Sequence, residues 1–97
     1  MTQLLWSPRF IRDFKRLVRR NPQLRPLIEQ TLQQLAVDPF HPSLHTHKLK
    51  GDLSDVWACS IDYSNRILFE FVRNPDSDDS DEEAIFLLTL GSHDEVY

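Results

Sequence analysis

The chain has 97 residues, 40% hydrophobic and 27% charged, with a formal net charge of −4. That length and balance predict one small domain, residues 1–97, and no apolar run approaches the ~18 residues that a membrane-spanning helix needs. A lone cysteine, Cys59, excludes an intramolecular disulfide, and with no signal-peptide pattern at the start it predicts a soluble cytoplasmic protein.

The average charge hides a polarity. Residues 1–50 carry nine Lys/Arg against three Asp/Glu, or +6, while residues 51–97 carry two against twelve, or −10. Such a chain can attract a polyanion with one face while staying acidic overall.

Residues 3–6 read as a short first strand. Ser7 and Pro8 then form an N-cap and first-turn pair. Phe10, Phe14, Leu17 and Val18 fall at i, i+4, i+7 and i+8, one face of a helix whose other face carries Arg9, Arg12, Lys15, Arg16, Arg19 and Arg20. Asn21-Pro22 is expected to end this helix and start the next in the same way. Leu24, Leu27, Ile28, Thr31, Leu32 and Leu35 form the second buried stripe, which Asp38-Pro39 stops. Helices joined by so short a link lie roughly antiparallel.

The loop over 40–47 holds His41, His45 and His47. With no helical i, i+4 pair and no C-x-x-C companion, a metal centre is not expected, and His41 reads as a plain loop residue. If extended, residues 48–50 turn Lys48 and Lys50 to one side and Leu49 to the core. Residues 56–61 predict a strand with Trp57, Cys59 and Ile61 on one face. Residues 62–65 have hairpin-turn chemistry. Residues 66–72 predict the next strand, with Ile67, Phe69 and Phe71 toward the helices and Arg66, Leu68 and Glu70 on the opposite face. Residues 73–83, with six Asp/Glu, read as a structureless hairpin loop. The apolar run 84–90 predicts a strand buried on both faces, broken at Gly91, which delivers His93, Asp94, Glu95 and Tyr97 to one edge.

Hairpins in series predict an α+β fold, an N-terminal helix pair on one face of a small twisted antiparallel sheet. The uncovered face or its rim then collects Lys48, Lys50, Arg66, His93 and Tyr97. Cationic donors with titratable His and Tyr suit metal-free RNA cleavage. The 2′-hydroxyl attacks the adjacent phosphate, a base takes its proton, an acid protonates the leaving 5′-oxygen, and fixed positive charge stabilises the anionic phosphorane. The plainer reading has His93 capping a turn, Arg66 pairing with Glu70 and Tyr97 packing as a terminus.

The stretches HKLKGDLSDVWACSIDYSNRILFEF and AIFLLTLGSHDEVY resemble the RelE/ParE superfamily of bacterial type II toxins, most of all its RelE/StbE and YafQ-like mRNA interferases. The resemblance implies a RelE-like fold and ribosome-dependent endoribonuclease action on mRNA without a cofactor. It also implies restraint by a cognate antitoxin, with assembly into a higher-order complex. By that resemblance Lys48 and Lys50 contact nucleic-acid backbone, Arg66 stabilises phosphate, His93 transfers a proton, and Tyr97 stacks on or orients the nucleotide. His45 and His47 match the histidine region of the YafQ-like branch, His47 the better, and Asp62 matches an acidic residue there. Alternatives on the same fold are a ParE-like toxin that inhibits DNA gyrase by protein contacts, and a decayed relative that only binds antitoxin.

Overall fold

In a computed structural model of the chain, residues 1–51, 55–79 and 81–92 are described. The elements run β1 (Leu4–Trp6), α1 (Pro8–Arg20), α2 (Leu24–Val37), a 3-10 turn (Pro42–Leu44), β2 (His47–Lys48), β3 (Trp57–Ser60), β4 (Asn65–Arg73) and β5 (Glu83–Ser92). The strands form one sheet in the order β1-β5-β4-β3-β2. The helix pair packs on one face of it, which is the α+β architecture expected. Phe10 and Leu17 of α1, Ile28 and Leu35 of α2, and Cys59, Ile67, Phe69 and Ile85 of the sheet share the core.

Three features of the sheet differ from the expectation. First, β1 lies parallel to β5, Leu4 opposite Ile85 and Trp6 opposite Leu87. Tight turns impose antiparallel pairing only on the strands they join, and β1 meets β5 across most of the chain. Second, β5 does not break at Gly91. Gly91 pairs with Arg66 and Ser92 with Asn65, because ladder bonds to β4 outweigh the conformational looseness of one glycine. Third, Ala58, Leu68 and Ala84, which alternate with the helix-facing residues, are buried as well.

A bulge sets the register of β5. Pairing steps from Leu68–Thr89 to Phe69–Leu87 and leaves Leu88 as the extra residue. Strict alternation would send Leu90 to the face opposite Ile85 and Leu87. The inserted residue brings all three into one core instead. It also frees the Leu88 carbonyl, which accepts from Ser7 Oγ at 3.1 Å. The same hydroxyl accepts from the Phe10 N–H at 3.0 Å, capping α1. One serine therefore starts the helix and pins it to the bulge.

The helices depart in detail from their patterns. Leu27 is 40% exposed, since Leu24, Ile28, Thr31, Leu32 and Leu35 already fill the stripe that faces the sheet. Asn21 does not start α2. Its N–H donates to the Leu17 carbonyl at 2.9 Å as the C-cap of α1, and Gln23 takes the N-cap position of α2 without a side-chain capping bond. The cationic face of α1 hides a carboxylate. Asp13, 3% exposed, accepts from Thr89 Oγ1 at 2.6 Å and from the Leu90 N–H at 3.4 Å.

The acidic connection has more structure than its composition suggests. Asn74 is buried. Its N–H donates to the Glu82 carbonyl, and its Oδ1 accepts from the Asp76 N–H at 3.0 Å. Ser77 hydrogen-bonds to Glu82, and Asp76 accepts from Gln3 Nε2 at 2.9 Å. Short polar side chains supply local turns that the charge count conceals. β4 spans nine residues from Asn65 to Arg73, so this loop sits roughly 25 Å from the Arg66 end of the hairpin at the usual strand rise.

Candidate functional site

The β3–β4 turn is built on Asp62. Its Oδ1 accepts from the Ser64 N–H at 2.9 Å, the Asn65 N–H at 2.8 Å and Asn65 Nδ2 at 3.1 Å. The Ile61 N–H donates to the Asn65 carbonyl at 2.9 Å and closes the hairpin. Arg66 follows directly. Its Nη1 donates to the Asp62 carbonyl at 2.7 Å and the Asn65 carbonyl at 3.1 Å. Two of the five guanidinium N–H donors thus fix the side chain against its own turn, and the fork retains three for a ligand. Among the described residues no ion pair joins Arg66 to Glu70.

The facing wall comes from the segment after α2. His41 is not a plain loop residue. Its Nδ1 accepts from the Ser43 N–H at 3.1 Å and caps the 3-10 turn. Leu44 anchors that turn in the core. His45 then adopts φ 51° and ψ 38°, the left-handed region that a non-glycine residue enters at a cost of about 1 kcal/mol or more. That strained corner aims the His45 carbonyl at His47 Nδ1, 3.0 Å away. A carbonyl only accepts, so Nδ1 carries the hydrogen. A neutral imidazole held this way keeps one basic ring nitrogen.

Between these walls lies an open groove of about 570 Å³. His45, His47, Arg66 and Asp62 line it, and so do Ser43, Ser60, Ile61 and Tyr63. Three of the site residues expected from the sequence, His45, His47 and Arg66, are therefore brought together. Asp62 borders the groove with its carboxylate committed to the turn. Lys48 and Lys50 are exposed on and beside β2. Lys48 Nζ stands 5.9 Å from the Trp57 ring centroid, outside the groove lining. His93 and Tyr97 lie outside the described residues. Ser60 could have been found from its alternation with Cys59 on β3. Tyr63 and Ser43 carried no signal beyond their place in loops.

Cys59 has no nucleophilic role here. Burial pushes its thiol up to about 12, against the opposing pull of Arg66, so the thiolate is scarce near neutrality. Among the described residues no group of three His, Cys, Asp or Glu side chains stands ready for a metal ion, and no helix is long and apolar enough to cross a membrane.

Solved structures repeat this architecture. A metal-bound toxin from Helicobacter pylori is 28% identical, with a TM-score of 0.75 and full coverage of both chains. A YoeB/ParE toxin from Agrobacterium tumefaciens is 18% identical, TM-score 0.74, covering 95% of this chain and 99% of the other. The E. coli DinJ-YafQ toxin-antitoxin complex contains a chain 11% identical, TM-score 0.72, covering 99% and 97%. The last two likenesses speak to the fold alone. No curated protein matches the chain in sequence. Residues 4–97 match the family described as the ParE toxin of the type II toxin-antitoxin system, parDE, and with 94 of 97 residues aligned to it, the chain belongs to that toxin family of the RelE/ParE superfamily.

Proposed function

We propose that this toxin is an mRNA endoribonuclease that works without a metal ion. The supporting observation is that His47, hydrogen-bonded through Nδ1 to the His45 carbonyl, and Arg66, with its fork fixed by two carbonyls, line one open groove. In this reading the His47 imidazole takes the proton of the 2′-hydroxyl. The 2′-oxygen attacks the adjacent phosphorus, a 2′,3′-cyclic phosphate forms, and the 5′-oxygen leaves with a proton from a general acid. Arg66 meets the charge that grows on the phosphorane oxygens. His93 is the proposed acid and Tyr97 the proposed nucleotide-orienting ring, both on family resemblance. Lys48 and Lys50 hold flanking backbone, and His45 adds a donor at the groove wall.

The ribosome is the proposed platform, and a cognate antitoxin the proposed restraint. The complexed state of the E. coli YafQ relative supports the second of these. Translating ribosomes programmed with a defined mRNA test the reading. Wild type is expected to cleave, and His47→Ala and Arg66→Ala each to lose about 10²-fold or more in rate. Undiminished cleavage by both variants overturns it. The family match to ParE favours a second reading, inhibition of DNA gyrase through protein contacts. It predicts loss of supercoiling activity that survives both substitutions.

A further inference from the structure

The groove holds an aromatic ring that the proposed chemistry leaves unused. Tyr63 is 96% exposed, yet it lines the same groove as His47 and Arg66. No ring contact or hydrogen bond engages its side chain among the described residues. A single exposed aromatic usually needs no explanation. Three observations set this one apart. It stands on a turn held by three bonds to Asp62 Oδ1, so its backbone is already ordered. Its ring has only two side-chain torsions to fix on binding. The flanking groove supplies a fixed guanidinium and an imidazole, groups that attract a phosphate rather than an apolar peptide.

A nucleotide strand needs both a cation for its backbone and a flat surface for its bases. Arg66 provides the first and Tyr63 the second within one groove. Resting on the RNase reading above, we propose that Tyr63 is the stacking platform for an unpaired RNA base next to the phosphate held at Arg66. Every base presents a π-face, so the platform grips without choosing a sequence. It also favours single-stranded RNA over duplex, whose bases stack on one another.

The test uses full-length protein and a short RNA carrying 2-aminopurine beside a 2′-deoxy linkage, which removes the nucleophile and keeps the complex intact. Wild type and Tyr63→Phe are expected to quench the probe alike. Tyr63→Ala should bind about 5- to 150-fold more weakly, the span of one base–aromatic stack, with an unchanged salt slope because no phosphate contact is lost. Equal affinity and equal quenching by wild type and Tyr63→Ala overturn the proposal, as does a Tyr63→Phe variant that behaves like Tyr63→Ala. Cleavage on programmed ribosomes separates the two ideas. If wild type and Tyr63→Ala cleave at the same rate while both bind the probe equally, the RNase reading stands and the platform falls. If wild type neither cleaves nor binds RNA, both fall.

Discussion

Asp13 and Thr89, 76 positions apart in the chain, meet in a buried 2.6 Å hydrogen bond between α1 and β5. Arg9 Nε at 3.8 Å and Arg16 Nη2 at 3.5 Å flank the carboxylate from the solvent side. Removing the hydroxyl leaves the buried Asp13 Oδ2 with only the long 3.4 Å bond from the Leu90 N–H, at a cost of about 1 kcal/mol or more. Thr89→Val should therefore lower the urea midpoint with little change in slope. Asp13→Ala/Thr89→Val should cost less than the sum of the single changes, because both remove the same bond. Strict additivity in urea melts would show that the two groups do not cooperate.

Ser7 has two jobs, capping α1 and holding the β5 bulge. Loss of an N-cap alone costs about 1 kcal/mol, and the second bond adds to it. Ser7→Ala is expected to lower the melting temperature by roughly 4–8 °C or more. Ser7→Thr should keep most of the stability, since it retains the hydroxyl. A melt of Ser7→Ala matching wild type would mean that the cap carries no weight.

Asp62 offers a way to disturb Arg66 without touching it. All three donors that hold the turn through Ser64 and Asn65 converge on Oδ1. Asp62→Asn keeps one side-chain oxygen and should preserve the turn. Asp62→Ala releases it, loosens the carbonyl that accepts from Arg66, and on the proposed nuclease reading should cut RNA cleavage by about tenfold or more, as a misplaced catalytic group would. Rescue by Asn and not by Ala is the signature to seek. Equal activity of both variants would detach the turn from the site.

Cys59 predicts an alkaline weakness. Its thiol ionises at 9.0 when unfolded and near 12 when folded, burial being the main cause. The folded state thus retains a proton that the unfolded state gives up. Stability from this group is complete below about pH 9 and falls by roughly 1.4 kcal/mol per unit as pH rises toward 12. Cys59→Ala should flatten that part of the pH–stability curve relative to wild type. The native thiol should also resist alkylation at pH 8 until denaturant is added.

The sequence made some of this architecture legible and concealed the rest. The spacing of Phe10, Phe14, Leu17 and Val18 identified α1 because a helix repeats its buried face within a few residues. The alternation of Ile67, Phe69 and Phe71 identified β4 for the same local reason. The parallel seat of β1, the bulge at Leu88 and the burial of Asp13 depend on partners dozens of positions away, which no local period encodes. The groove follows this division. Arg66, His45 and His47 stood out by residue type. The left-handed corner at His45 that orients His47, the cap that His41 gives Ser43, and the place of Tyr63 required coordinates.

Carboxylates gather on the 74–82 connection of the β4–β5 hairpin, while the Arg66 guanidinium lies toward the opposite end of β4, on the Asp62 turn. A molecule arranged this way behaves as a compass needle beside a polyanion. On the proposed RNA-directed reading, a polyanion within about a Debye length, roughly 8 Å at physiological salt, would repel the acidic tip and attract the guanidinium. The acidic tip would then serve as a rudder for the approach.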